Sequence, residues 1–392
     1  MKTYKSRDLR KENGQICTRC IYDGSILGIK FDDEGVCNYC RLVDQLKDEY
    51  NTGTPTGEEK LLEFFDKIKS EGNGKKYDCV IGVSGGTDSS YLIYLAVRHG
   101  LRPLAVHYDN TWNSAIATEN IRKVLGKLNI DLYTHVVDNK EIDDIFKSFF
   151  LAGVPELDAP TDIALAEVMY RAAAKYGVKY ILEGHSFMTE GVSPLSYVYV
   201  DGGYVQSVHK KFGKIKMKTF PNMTFGRFLY WTIFKRIKKI RPYWYIKYSK
   251  EDARAFLEKE FGWVYYGGHH LENRMTAFNH SYYYPTKFGI DQRNNSLSAS
   301  VRSGKITREK ALKMYAEPPY IEPELLEYFK KRMNVTDEEF EQIINRPNKT
   351  YKDYRTYKRR FEYLRPLFYF MYKANLVPKS FYLKYCFKSE IS

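Results

Sequence analysis

The run Asp78-Cys79-Val80-Ile81-Gly82-Val83-Ser84-Gly85-Gly86-Thr87-Asp88-Ser89-Ser90 leaves few folds open to this chain. Val80, Ile81 and Val83 are apolar and β-branched, as a parallel strand buried on both faces requires. Gly85 and Gly86 let the backbone turn sharply and approach a ligand closely. Thr87, Asp88 and Ser89 suit the cap and first turn of a helix that Tyr91 to Val97 continues. Bare N–H groups at such a helix start attract an anion, phosphate above all. Asp88 would repel phosphates unless a divalent cation lay between, which implies Mg²⁺ at Asp88. No Gly-Lys-Ser/Thr follows the glycines, so the loop is not of the Walker A type.

Further strands and helices alternate after this loop. Strands are predicted over 102–110, 130–137 and 178–185, and helices over 113–128, 141–150 and 162–176. This order means an α/β fold with a doubly wound parallel sheet, whose ligands bind beyond the carboxyl ends of the strands. Ser84 to Asp88, His107 to Thr111 and Gly184 to Glu190 all fall on that rim. Asn51-Thr52-Gly53-Thr54-Pro55-Thr56-Gly57 marks a boundary. Three domains are therefore expected, over 1–55, 56–205 and 206–392, the last mostly helical.

Four of the six cysteines form two Cys-x-x-Cys pairs, Cys17/Cys20 and Cys37/Cys40, with sixteen residues between the pairs. The spacing matches a structural four-thiolate zinc ribbon; an iron–sulfur cluster uses the same ligands, and two disulfides are the remaining reading. No apolar run approaches the ~20 residues of a membrane span, and the amino terminus is charged rather than apolar, so a cytoplasmic location is expected, where thiols stay reduced.

Ser84-Gly85-Gly86-Thr87-Asp88-Ser89 resembles the PP-loop of the ATP pyrophosphatase superfamily, with its adenine nucleotide alpha hydrolase-like fold. That resemblance implies ATP held by Ser84, Gly85, Gly86, Thr87, Asp88 and Ser89, with His107, Asp109 and Gly184 on the same rim and Asp109 and Asn110 near the adenosine. Longer stretches are similar to the N-acetyl sugar amidotransferase family: 106–114, Pro160-Thr161-Asp162, 187–194, 204–213, Tyr266 to Thr276 and Ser281 to Arg293. The similarity runs over roughly residues 15 to 320. The chain departs from the expected pattern at Thr111, where glycine is expected, at Glu183-Gly184-His185-Ser186, and at Gln292, Asn294 and Asn295, where basic residues are.

The family resemblance implies conversion of the acetamido group of a nucleotide-linked, acidic bacterial sugar to an acetamidino group. ATP would adenylate the amide oxygen, ammonia would displace AMP, and pyrophosphate would be the other product. Asp88, Glu190 and Lys287 are the candidate catalytic residues, with Glu183 a further carboxylate on the rim. Lys210 and Lys211, read as following a strand, and Arg293, whose planar fork suits carboxylate or phosphate, are candidates for the substrate. The chain begins Met1-Lys2 and carries no cysteine on a nucleophile elbow, so a glutaminase of its own is not expected. The resemblance implies separate glutaminase and cyclase-like subunits that supply ammonia.

The net charge of +14 suits an acidic partner. From Val208 to Lys250 there is no acidic residue, and Phe225 to Lys239 reads as either an interfacial amphipathic helix touching a membrane or a core helix with snorkelling cations. The aromatic, basic end over 361–387 fits either a docking surface or packed helices. The alternative function is a tRNA-modifying PP-loop enzyme, a lysidine-type ligase or a thiolase; thiolation is disfavoured because no cysteine lies near Pro160-Thr161-Asp162. Nucleic acid is otherwise not expected as a partner.

Overall fold

The computed structural model describes residues 6–194, 199–267 and 272–387. The apolar run before the glycines forms β1 (Cys79–Gly82), joined by β2 (Pro103–Asp109), β3 (Leu132–Val136), β4 (Tyr180–Leu182) and β5 (Lys238–Ile240). All neighbours pair in parallel in the order β3-β2-β1-β4-β5, the doubly wound sheet read from the sequence. The chain leaves β1 toward β2 and returns on the other side of β1 as β4, so the sheet's switch point lies between these two strands.

Side chains alternate across the sheet as a period of two demands. Val80, Leu104, Val106 and Ile181 enter one core, covered by α5 (Asn139–Ala152), α6 (Ala159–Lys175) and α7 (Gly202–Phe212). Cys79, Ile81, Val83 and Leu182 enter the other, under α2 (Pro55–Glu71), α3 (Thr87–Arg98), α4 (Ala115–Leu128) and α9 (Lys250–Phe261).

β5 comes from beyond residue 205, so the sheet draws its last strand from the segment expected to form a separate carboxy-terminal domain. Lys210 and Lys211 end α7 rather than follow a strand. Asp201 caps this helix by accepting from the Tyr204 N–H (2.7 Å), and Tyr204, Val205 and Val208 form its buried face.

The first helix, α1 (Asn38–Tyr50), starts inside the second cysteine pair: Cys37 is its N-cap and Cys40 lies in its first turn. Leu9 and Ile21 of this amino-terminal module pack on α11 (Arg293–Arg302) and α12 (Arg308–Ala316), while Tyr22 meets Asn295 at 2.7 Å. α10 (Arg274–Phe278) runs on as a π-helical stretch to Phe288, and Phe278 stacks on Phe329 of α13 (Leu325–Met333) at 3.7 Å. α14 (Asp337–Asn345) follows, and the chain closes with α15 (Lys358–Tyr363), α16 (Arg365–Lys373) and α17 (Lys379–Cys386). The stretch from Phe225 packs inward: Phe225 and Phe228 of α8 (Phe225–Leu229) meet Phe361 and Phe368, while Tyr230 and Phe234 stay exposed. Among the described residues no helix is long and apolar enough to cross a membrane.

Glu156 lies deep in the first core, accepting from the Tyr199 N–H (3.2 Å) and the Tyr204 hydroxyl (3.0 Å). Burial pushes its carboxyl up to about 7, against those two hydrogen bonds. An acid whose folded pKa exceeds its unfolded value keeps its proton longer in the fold. Its contribution is fully favourable below the ordinary value of 4.5 and is lost as pH rises to about 7. Glu156→Gln should therefore gain stability over the parent between pH 5 and pH 8, by up to about 3 kcal/mol. Urea melts of both proteins at the two pH values check this; an equal difference at each would refute it.

Candidate functional site

The loop between β1 and α3 is knitted from its own side chains. The Ser84 N–H donates to Ser89 Oγ (3.3 Å), the Gly86 N–H to Ser84 Oγ (3.3 Å), and the Ser89 hydroxyl to the Gly86 carbonyl (3.3 Å). Gly85 takes φ +81°, and a Cβ there would collide with the Ala117 carbonyl of α4. The Gly85 carbonyl accepts from Trp263 Nε1 (3.0 Å) and Asn120 Nδ2 (3.4 Å). Gly86 caps α3 without a side chain; the Thr87 N–H meets the Tyr266 hydroxyl, and beyond it the helix opens at the switch point on bare N–H groups.

Asp88, in the first turn of α3, is held from three sides. Its Oδ1 accepts from the Tyr248 hydroxyl (2.6 Å), its Oδ2 from Lys250 Nζ (2.6 Å), and its carbonyl from the Tyr243 hydroxyl (2.8 Å). Tyr243 and Tyr248 stack at 3.8 Å. Burial alone would depress the Lys250 ammonium, but the charges of Asp88, Glu190 and Glu272 outweigh it and raise its pKa. Glu190 also accepts from the Ser186 N–H at 3.3 Å, and Glu272 Oε1 lies 3.5 Å from Ser84 Oγ. Gly184 packs on the Asp88 carbonyl, where a Cβ would sit 3.2 Å away. The exits of β1 and β4 thus share one crevice. Around Lys250 the side chains supply hard oxygen donors suited to Mg²⁺, although among the described residues only the cysteines converge into a closed cage. Asp88, with Glu190 and Glu272 near it, would hold the ion by one or two carboxylates and leave phosphate oxygens to complete its shell.

His107 reaches the rim, but both ring nitrogens are engaged. Nδ1 donates to the Val83 carbonyl (2.8 Å), and Nε2 accepts from the Asn113 amide (3.3 Å), so the ring clasps the loop entry to β2. Asp109 accepts from the Thr111 N–H (2.7 Å). Asn110 accepts from Trp112 and Asn273 and donates to Thr161, tying three segments of the rim together.

Five predicted residues are used elsewhere. Lys287, expected to be catalytic, is buried and donates to the carbonyls of Ile343 (3.2 Å), Ile344 (2.9 Å) and Arg346 (2.7 Å), capping the end of α14. Arg293 pairs with the buried Asp291. Lys210 and Lys211 end α7, which packs on α5 through the His209–Asp144 contact, and Lys211 lies over the Tyr354 ring. Glu183 is drawn into a pair with Lys239 (2.6 Å) and Arg241 (3.0 Å); burial would raise its carboxyl, but the two cations hold it low. Tyr248, Lys250, Tyr266 and Glu272 complete the site without having been singled out. The last two lie in the family-like stretch, of which Gly268 to Leu271 is outside the described residues. Lys250 carries no local signal, because only the chain's course from β5 into α9 brings it to Asp88.

The four ribbon thiols are buried, and no disulfide joins them. Cys17 and Cys40 lie 3.9 Å apart and Cys20 and Cys37 3.8 Å, close to the ~3.8 Å edge of a tetrahedron with ~2.3 Å zinc–sulfur bonds. The N–H groups of Arg19 (3.4 Å) and Cys37 (3.2 Å) point at Cys17 Sγ, as suits a thiolate. The set fits a structural zinc ion. Beside the crevice lies a cavity of about 840 Å³, walled by α1, the start of α6, the β4 exit, Trp244 and α17.

The sheet order, the glycine turn and the helix start at the switch point define a doubly wound parallel α/β fold with an anion-binding loop. The carboxy-terminal part narrows this, because residues 272–367 match the family model of the LPS biosynthesis protein WbpG-like, C-terminal domain. An uncharacterized protein of Methanocaldococcus jannaschii is 24% identical over 320 residues, 81% of this chain and 98% of that protein. The tRNA-specific 2-thiouridylase MnmA 2 of Fusobacterium nucleatum is 27% identical over 113 residues, 27% of this chain and 33% of that enzyme. Among solved structures, the NMN synthetase of Francisella tularensis aligns with TM-score 0.32 and 15% identity over 72% of this chain and 93% of that one. The NH3-dependent NAD synthetase of Campylobacter jejuni does so with TM-score 0.32 and 15% identity, over 70% and 91%.

Two predictions follow from this geometry. Purified protein should carry about one zinc per chain by elemental analysis, and Cys37→Ser should lose both the metal and thermal stability; iron in its place, with a visible absorption band, would assign a cluster instead. Asp88→Asn and Lys250→Met should each lower pyrophosphate release from ATP by at least ~100-fold while the melting temperature stays near the parent's. Undiminished release in either variant would remove that residue from the site.

Proposed function

We propose that the chain is an ATP-dependent amidotransferase that turns the N-acetyl group of a nucleotide-linked, acidic bacterial sugar into an acetamidino group. The observation that carries the reading is the loop at the switch point: bare helix N–H groups, an acidic first turn at Asp88, and Lys250 on that carboxylate. This is an apparatus for a triphosphate, and the WbpG-like match over 272–367 directs it toward surface-polysaccharide synthesis.

In this mechanism the loop N–H groups and Lys250 bind the β and γ phosphates and stabilise the charge of departing pyrophosphate. Magnesium, when bound at Asp88, supplies further neutralisation of those oxygens. The amide oxygen attacks the α phosphorus and the α–β bond breaks, giving an adenylated imidate. Ammonia adds to the imidate carbon and sheds a proton, and AMP leaves with the former amide oxygen. The protein's share is mainly positioning: Gly184 and Glu190 on the β4 exit bring the second substrate's wall against the loop. Ammonia is taken from a separate glutaminase acting with a cyclase-like subunit.

A second reading, tRNA modification, draws on the similarity to the thiouridylase. Its thiolation form is poorly supported: four of the six cysteines form the metal cage, Cys79 is fully buried in β1, and Cys386 is packed among the carboxy-terminal helices. One assay separates the readings. Protein supplied with ATP, Mg²⁺, an ammonium salt and UDP-linked acetamido uronic acids should form AMP and pyrophosphate and give a sugar in which NH replaces O, carrying a strongly basic group detectable by mass spectrometry and electrophoresis. AMP formed only with tRNA would establish the second reading, and ADP with orthophosphate would end both.

A further inference from the structure

We infer that Lys384 of α17 anchors an anionic group of the acceptor in the cavity beside the loop, an inference that rests on the amidotransferase reading above. Four cations line this cavity, and three are committed. Arg241 pairs with Glu183 (3.0 Å), Lys379 pairs with Glu49 (2.6 Å), and Lys358 donates to the carbonyls of Lys384 and Tyr385 at 3.0 Å each, closing the end of α17. The Lys384 ammonium has no carboxylate within ion-pair distance among the described residues; its recorded neighbour is the Tyr385 ring at 5.8 Å. Asp162, also in the cavity lining, and Glu156 act on it by charge. Dehydration holds the ammonium below the ordinary lysine range despite these two acids. A dehydrated cation without a counter-ion is costly to keep, and an anionic ligand supplies what the fold leaves out.

The cavity is built for a large polar ligand. Its volume of about 840 Å³ lies within the range of small-molecule and cofactor sites, and Tyr39, Trp244 and Tyr284 give it flat aromatic walls for a base or sugar ring. Among the described residues its lining includes none of Ser84 to Ser89, so it is not the triphosphate's own seat. It meets the loop through one shared partition, the β4 exit, where His185 and Phe187 face the cavity and Gly184 touches Asp88. A ligand anchored at Lys384 and reaching that partition comes up against the side of the β4 exit opposite Asp88. The anion is either the diphosphate of the sugar nucleotide or the carboxylate of its sugar.

The test uses the full chain and two probes, UDP-N-acetylglucosamine and its C6-oxidised uronate, titrated calorimetrically into the parent and Lys384→Met. The variant should bind the uronate at least ~10-fold more weakly, with its affinity for Mg-ATP and its melting temperature unchanged. Lys384→Arg should recover part of the loss. Weakening toward both probes assigns the diphosphate, and weakening toward the uronate alone assigns the carboxylate. Parent-like binding of both probes by Lys384→Met overturns the inference and leaves the amidotransferase reading standing. If the parent binds neither probe, that reading falls and takes the inference with it. Should Lys384→Met fail to fold, Lys384→Gln under the same titration decides the matter by the same criteria.

Discussion

At Gly85 the backbone adopts a left-handed conformation with the Ala117 carbonyl occupying the space a side chain would need. The direction in which α3 departs, and hence where its bare N–H groups point, follows from this one contact. It is reinforced from a distance: Trp263 and Asn120 hold the Gly85 carbonyl, and Tyr243 holds the Asp88 carbonyl. A side chain at residue 85 would meet both the ~1–2 kcal/mol cost of left-handed backbone and the wall of α4. The loop is therefore local in sequence, but its shape belongs to the whole sheet and its flanking helices.

That division explains what could be read from the residues. β1, the glycine turn and α3 are contiguous and obey short-range rules, so the sheet and the shape of the glycine loop were legible, as was the thiol cluster from its spacing. Tyr248 and Lys250 were not, because they reach Asp88 only after the chain has crossed to β5 and entered α9. Lys287 shows the converse. Its neighbours in sequence resemble a substrate site, but its ammonium is consumed by the unpaired carbonyls at the end of α14, some sixty residues on. Arg293 had a nearer warning, since Asp291 lies two residues before it and takes its guanidinium.

Thr111 adds a different lesson. A β-branched residue at φ +63° is strained, which accounts for glycine being the expected residue there. The strain is offset by Arg332 of α13, which donates to the Thr111 carbonyl (2.5 Å) and to its hydroxyl, stacks over Trp112 at 4.2 Å, and pairs with Asp143. A departure that looks damaging in one dimension is matched by an arginine more than two hundred residues away. The rim after β2 is thereby tied to the WbpG-like segment.

The docking of the amino-terminal module on α11 and α12 governs the order in which the molecule can assemble. All four thiols are in place once residue 40 has been synthesised, yet the surface that receives Leu9 and Ile21 does not exist until α12 has been added. Until then nothing covers the apolar side chains of Leu9 and Ile21. The amino-terminal module thus closes against Leu297, Ala311 and Leu312, residues from the far side of the sheet domain in sequence.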